Sequence, residues 1–201
     1  LNTSKLFRYG AYVSLCFGAK GILYFQYGDA SPNLEGMFNY LYHYMSCLID
    51  PNGNKLEAWY DAKKTNEELL KLAEVYLQYK NVGAATLNIN DSNVSAYLEN
   101  PYPYTNEYIS EFSDPEGEAH SYLFSFFEKT DSSGKALMLV NLDDLDDLPY
   151  EQSEAKCAKI KFNGENVNFY RNGELQDVNR DSDGYYLTEM GNGYCWFITL
   201  E

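Results

Sequence analysis

The chain has 201 residues, and its 45% hydrophobic and 16% aromatic content is enough to bury a core. Its 30 acidic and 15 basic side chains give a formal net charge of -15 at pH 7. That charge repels polyanions, so nucleic acid and anionic membranes are not expected as partners, whereas neutral and cationic ligands stay open. The 20 tyrosines suit sugars and protein interfaces alike, with β-rich packing as the alternative explanation.

The cysteines bear on the compartment. They stand at positions 16, 47, 157 and 195, without metal-binding spacing or the density of a disulfide scaffold. They predict buried free thiols, a pattern that permits the cytosol and does not forbid a secreted or periplasmic location. No apolar run approaches the ~20 residues of a membrane helix, and the first residues lack the pattern of a signal peptide. A helix pattern already in progress at Leu1 predicts a piece of a longer or processed polypeptide.

The N-terminal region combines an amphipathic helix with a short apolar run. Apolar residues recur at helical spacing from Leu6 to Phe17, and Gly18 is expected to end the helix in the left-handed conformation. The run from Ile22 to Tyr27 is too short for a solitary helix, and its apolar residues are not interrupted as they would be in a strand with one solvent-exposed face. It predicts a parallel strand buried on both faces, within an α/β architecture.

A long aromatic loop is expected after this strand, from Gly28 to about Leu48. In parallel α/β sheets the loops that leave the carboxyl ends of strands carry the ligand site, so a loop of this length indicates a function. The alternative is that its aromatic residues only cover the end of the sheet. These residues are Phe38, Tyr40, Tyr42, His43 and Tyr44.

A turn and a second helix follow. Asp50 lies in the segment Leu48–Gly53, where its side chain is expected to bond the backbone of a tight turn. The spacing of apolar residues then predicts a helix from about Leu56 to Tyr79. A capping box formed by Thr65 and Glu68 would split this helix, and a single bent helix is the alternative.

From Asn81 onward the pattern becomes that of a β protein. A strand is predicted over Val82–Ile89, in a stretch rich in Asn, Ser, Pro and Tyr that continues to Pro115 and is interpreted as a domain junction. Beyond it are short segments in which apolar and polar residues alternate, and turns rich in glycine and asparagine separate these segments. This pattern predicts an antiparallel sandwich or open barrel with one sheet face inside. The predicted strands are Tyr122–Glu128, Ala136–Leu142, Lys156–Phe162, Val167–Arg171, Gly184–Thr188 and Tyr194–Leu200.

Candidate metal and catalytic motifs are weak. Asp177–Gly184 resembles a calcium loop superficially, but position twelve of a loop starting at Asn179 is Met190 and not the bidentate Glu. A hairpin turn is the favoured interpretation. Asp143–Asp147 is expected to be a surface loop, and neither histidine stands in the context of a catalytic triad. No metal site, no cofactor and no catalytic residue is therefore predicted.

The order of these features resembles the glycoside hydrolases related to the family 42 β-galactosidases. The N-terminal part of the resemblance lies in Arg8–Phe25, Leu48–Gly53, Tyr60 and Asn66–Leu69. The C-terminal part lies in Tyr122–Phe127, Leu139–Asn141 and Met190–Tyr194, which are similar to the all-β domain that follows the catalytic barrel in such enzymes.

The resemblance implies an α/β region followed by an all-β region: the terminal β/α unit of a TIM barrel plus an antiparallel β-sandwich. Residues 1–80 would be the last helix-strand-helix unit of the (β/α)8 barrel, with Ile22–Tyr27 as its eighth strand. Residues 81–117 would be a linker with one predicted strand, and residues 118–201 the β-sandwich domain.

The resemblance also implies a function. The family cleaves glycosidic bonds with two carboxylates, and both belong to strands outside this chain, so none is assigned here. This chain would contribute a wall of the sugar pocket, through Gln26, Tyr27 and Asp29, together with structural support. Its expected partners are carbohydrate and the upstream barrel portion. The alternative is a non-catalytic carbohydrate-binding or interaction module.

Overall fold

The computed structural model describes residues 3–24, 27–28, 47–50, 52–87, 107–113, 122–142, 156–190 and 195–201. This part of the chain contains two helices, α1 (Thr3–Cys16) and α2 (Glu57–Tyr76). The remaining elements are strands β1 (Tyr79–Leu87), β2 (Ile109–Ser113), β3 (Tyr122–Lys129), β4 (Lys135–Asn141), β5 (Lys156–Phe162), β6 (Val167–Arg171), β7 (Glu174–Gln176), β8 (Tyr186–Met190) and β9 (Cys195–Leu200).

The strands form two sheets, and every pair of neighbouring strands is antiparallel. The larger sheet has six strands in the order β1-β3-β4-β9-β6-β7, and the smaller has three in the order β2-β5-β8. In the middle of the larger sheet Phe124 lies opposite Leu139, which in turn lies opposite Trp196. These registers place large apolar side chains of three adjacent strands on the same face.

The larger sheet is covered on both faces. Phe124, Leu139 and Trp196 belong to a core shared with Ile160 and other residues of the smaller sheet. The residues that alternate with them, such as Phe127 and Met138, pack with α1 and α2 on the opposite face. The described chain thus has a helical layer, a six-stranded sheet and a three-stranded sheet. The alternation of apolar residues predicted that one face of the sheet would be buried, whereas both faces of the larger sheet are covered.

The first helix ends as its sequence predicts. The N–H of Gly18 donates to the carbonyl of Leu15, and the N–H of Ala19 donates to the carbonyl of Ser14. Gly18 has φ +84°. These are the paired bonds and the left-handed residue of a Schellman motif, so the prediction for Gly18 is confirmed.

The second helix is continuous, so the split at Thr65 is wrong. Thr65 is buried inside α2 and does not cap a new helix. The buried stripe includes Glu68, which forms an ion pair with Arg8 of α1. The two helices therefore pack through a buried charge pair as well as through apolar side chains.

The predicted fold class is wrong. In place of the terminal β/α unit of a TIM barrel plus an antiparallel β-sandwich, the described chain is mostly antiparallel β-sheet with two helices. Residues 19–24 form no strand, and Leu23 is 93% exposed. The parallel pairing nearby is a single bridge between Gly28 and Ile49. A continuous apolar run predicts a strand that is buried on both faces, but the composition of the run does not show whether other elements are present to cover those faces.

The local strand predictions fared better. Lys156–Phe162 and Val167–Arg171 are strands with the predicted bounds. The predicted strand Gly184–Thr188 begins instead at Tyr186, because the Asp181 carboxylate accepts the N–H groups of Asp183 and Tyr185 and extends the turn. The predicted turn is therefore present and is closed by a single antiparallel bridge between Arg180 and Tyr186, but it connects β7 and β8 of different sheets and does not form the predicted hairpin.

Candidate functional site

An aromatic cleft of about 360 Å³ lies between α2 and the chain around Tyr24, Tyr27 and Leu48. Aromatic and aliphatic side chains make up most of its wall, with an amide and one charged pair beside them. We call it the aromatic cleft; its lining residues are Tyr24, Tyr27, Leu48, Trp59, Ala62, Lys63, Asn66, Glu67 and Leu70.

Tyr24 is held from two sides. Its hydroxyl donates to Oδ1 of Asn66 on α2 at 2.8 Å. Its ring meets the ring of Phe7 edge to face, with centroids 5.4 Å apart. Burial raises the pKa of Tyr24, so the hydroxyl keeps its proton and serves as a donor at neutral pH. Tyr24 is therefore a fixed wall of the cleft.

The backbone of Tyr27 is held by hydrogen bonds, whereas its side chain is exposed. Its carbonyl oxygen accepts the N–H groups of Leu48 and Ile49, both at 3.1 Å. The side chain is 58% exposed at the cleft. A fixed main chain with an exposed aromatic ring offers a flat surface on which a ligand can stack.

Trp59 lines the cleft from the first turn of α2. Nζ of Lys55 lies 3.6 Å from the centroid of its ring, and Tyr60 meets it edge to face at 5.1 Å. A cation over the indole face is an attractive contact that holds the ring in position. Trp59 is therefore oriented by its neighbours before any ligand arrives.

The turn after Leu48 fixes this side of the cleft. Oδ1 of Asp50 accepts the N–H groups of Asn52 at 2.9 Å and of Asn54 at 2.7 Å, and Oδ2 accepts from the Asn54 amide at 2.8 Å. The predicted role of Asp50 in the turn is confirmed. The bonds from Asn54 are the main cause of a pKa of Asp50 below its ordinary value of 3.8.

We expect a pH-dependent effect of Asp50→Ala. A carboxylate whose pKa is lower in the folded state stabilises that state above its unfolded pKa, and this contribution is lost as the pH falls through the folded pKa. Thermal unfolding should therefore show Asp50→Ala less stable than the wild type at pH 7 and converging with it at about pH 2. A deficit of equal size at both pH values would contradict this role.

The cleft contains one acidic group among its described residues. Glu67 is paired with Lys63 at 2.5 Å on the exposed surface of α2. Glycoside hydrolysis takes two carboxylates that flank the bond, and the described lining of the cleft supplies one of them. No group of three or more His, Cys, Asp or Glu side chains comes together as metal ligands in the described ranges.

One of the three residues predicted to contact sugar lines the aromatic cleft. Tyr27 lines the aromatic cleft. Gln26 and Asp29 lie outside the described residues, as do the acidic segment 143–147, both histidines and the aromatic group from Phe38 to Tyr44. Three cysteines, at 16, 47 and 195, are buried free thiols as predicted.

Sequence reasoning missed the contributions of Trp59 and Asn66. Helical spacing of apolar residues predicts a buried face for α2, but its buried stripe starts at Ala58 and leaves Trp59 half-buried beside the cleft. A tryptophan and an asparagine at i and i+7 lie on one side of a helix, and this spacing was the available signal.

Comparison of the chain with family models, curated proteins and solved structures gave no match. Neither described helix combines the length and the apolar character that crossing a bilayer would demand.

Proposed function

We propose that this chain is the non-catalytic, sugar-binding part of a glycoside hydrolase, with the carboxylate pair carried by another polypeptide segment. The ordered resemblance of its sequence to the family 42 β-galactosidases supports this proposal, and so does the aromatic cleft. The ligand class is a neutral saccharide, which a protein with a charge of -15 does not repel.

The exposed ring of Tyr27 is the observation that carries the proposal. Sugar rings present C–H groups on one face and hydroxyls at the rim, so they bind where a flat aromatic surface adjoins polar groups. At the cleft the Tyr27 ring provides the surface, and Asn66 and the Lys63–Glu67 pair are nearby polar groups. The volume of about 360 Å³ falls in the range of small-molecule sites.

The lining argues for binding without turnover. Glu67 is tied to Lys63, and the other described lining residues bring no second carboxylate. A general acid and a nucleophile or base must both flank the glycosidic bond. The chain alone is therefore expected to bind a galactoside and to leave it intact.

Titration with lactose, followed by tryptophan fluorescence, tests the proposal. The chain has two tryptophans, Trp59 at the cleft and Trp196 in the core between the sheets. A saturable change is expected from Trp59, with a dissociation constant on the order of 1 mM, which corresponds to about 4 kcal/mol. Trp59→Phe should abolish the signal.

Matched aromatic variants separate stacking from general surface effects. Tyr27→Ala should weaken lactose binding about tenfold, the size of one aromatic contact, whereas Tyr27→Phe should retain it. Phe17 is 54% exposed, close to the exposure of Tyr27, but lies outside the cleft lining, so Phe17→Ala should leave the affinity unchanged. Equal losses in both alanine variants, or no saturable signal in the wild type, would refute the proposal.

A further inference from the structure

The aromatic cleft adjoins a second cavity along α2. This cavity has a volume of about 390 Å³ and lies between the end of α1, residues 20–22 and α2. We call it the apolar groove; its apolar lining residues include Leu15, Ile22, Leu69, Leu72, Ala73 and Leu77. Asn66 and Leu70 line both cavities, so the groove begins where the cleft ends.

One side of α2 runs along both cavities. Trp59 lines the cleft, Asn66 lines both cavities and Ala73 lines the groove. Residues that follow one another at intervals of seven lie on the same side of a helix. Leu70 and Leu77 repeat this interval beside them. From Asn66 to Leu77 the helix rises about 16 Å, so a ligand longer than one sugar ring can lie along a continuous surface.

The apolar groove offers hydrocarbon contact. Leu70 and Leu77 are 72% and 52% exposed, so apolar surface faces water there. Among the described lining residues Lys20 is the charged one. Its ammonium already donates to the carbonyl oxygen of Tyr79 at 2.6 Å and lies 4.4 Å from the centroid of the Tyr76 ring. A neutral hydrocarbon therefore fits the groove better than a carboxylate, which the net charge of -15 also repels.

Asn66 supplies a polar contact where the two cavities meet. Its Oδ1 accepts the hydroxyl of Tyr24 at 2.8 Å, and within the described residues its Nδ2 group donates to no other group. An amide N–H group matches a hydrogen-bond acceptor. In a glycoside such an acceptor, the glycosidic oxygen, lies between the sugar and the group attached to it.

We propose that the aromatic cleft and the apolar groove form one binding site for a galactoside with an apolar aglycone such as an alkyl chain. The sugar stacks on Tyr27, and the aglycone lies along Leu70 and Leu77. This inference rests on the proposed function, because it assigns the sugar to the aromatic cleft. The groove selects the class of galactoside, since an apolar aglycone removes hydrocarbon surface from water and a free sugar does not.

Isothermal titration calorimetry with methyl and hexyl β-galactoside tests the inference, at concentrations below micelle formation. Each buried methylene group multiplies the affinity by about four, so burial of about three or four of the additional groups should make hexyl β-galactoside bind about 100-fold more tightly. Hexanol is the control for the chain without its sugar, and it should bind far more weakly than hexyl β-galactoside.

Substitutions in the apolar groove locate the alkyl chain. Ala73→Phe fills the groove and should reduce the advantage of hexyl over methyl β-galactoside to less than about tenfold, without weakening the methyl compound. Leu77→Ser removes an exposed apolar contact without adding bulk, and should reduce the advantage about threefold. Lys64 is exposed on α2 outside both linings, so Lys64→Phe is the control and should change neither affinity.

The outcomes separate this inference from the proposed function. Equal affinities for methyl and hexyl β-galactoside would overturn the inference and leave sugar binding intact. An advantage that persists in both Ala73→Phe and Leu77→Ser would do the same, as would hexanol that binds as tightly as hexyl β-galactoside. A wild type that binds neither galactoside would instead refute the proposed function, and the inference with it.

Discussion

Replacement of Arg8 by alanine should lower the free energy of unfolding by about 3–5 kcal/mol, because it leaves a buried carboxylate without its cation. The Arg8 side chain is 2% exposed and that of its partner Glu68 is 10% exposed. Nη2 of Arg8 also donates to Oδ1 of Asn172 at 2.7 Å, and the hydroxyl of Tyr12 lies 3.4 Å from the Glu68 carboxylate. Arg8 therefore joins α1, α2 and the β6–β7 turn.

Urea denaturation of matched variants would check this value. Lys71→Ala removes a pair on the same helix, but Lys71 and Glu174 are 55% and 61% exposed, so little change is expected. The double variant Arg8→Met with Glu68→Leu should recover much of the loss, because it removes both charges together. A loss in Arg8→Ala no larger than that in Lys71→Ala would contradict the structural role of this pair.

Gly173→Ala should destabilise the protein by about 2–5 kcal/mol, of which about 1–2 comes from the left-handed backbone and the rest from overpacking. Gly173 has φ +76° in the turn between β6 and β7. A Cβ at this position would lie 2.5 Å from the carbonyl oxygen of Glu68 and 2.7 Å from the backbone nitrogen of Leu72. These atoms belong to the main chain of α2 and cannot move aside as a flexible side chain would.

Gly53→Ala is the matched control for this variant. Gly53 has φ +83°, and a Cβ there would meet nothing within 4 Å. It should therefore show the conformational cost of about 1–2 kcal/mol alone. Equal losses for the two variants in denaturant titrations would mean that the β6–β7 turn does not press against α2 as the structure indicates.

Features encoded over a few residues could be predicted, and those that depend on distant residues could not. The turn at Asn172–Gly173, the Schellman end at Gly18 and the bonds of Asp50 each follow from local chemistry. The pairing of Arg8 with Glu68 spans 60 positions of sequence. Nothing in the local pattern of α2 indicates that a glutamate on its buried stripe has a cationic partner.

The mistaken fold class has the same origin. Alternation located β5 and β6, but it did not show that a helical layer covers the second face of the larger sheet. The run Ile22–Tyr27 is apolar enough for a buried strand, yet Leu23 is exposed because no described element covers it. The composition of a segment indicates which kind of surface it would favour as a neighbour, whereas the tertiary structure determines which elements lie next to it.

The candidate site was predictable only through Tyr27. Its position after an apolar run, combined with the resemblance to a known family, pointed to a sugar contact. Trp59 and Asn66 lie on a helix whose exact rotation is set by packing against α1 and β3, so their place beside the cleft emerged from the structure.

The aromatic cleft is proposed to bind a galactoside without cleaving it. Saturation-transfer difference NMR with methyl β-galactoside tests it in one sample, because transfer from protein to ligand reports binding and the anomeric signals report hydrolysis. We expect transfer that is strongest at the C–H face of the sugar and is strongly reduced in Tyr27→Ala, while the anomeric signal stays constant. Transfer of undiminished strength in Tyr27→Ala, or the appearance of free galactose, would contradict the account.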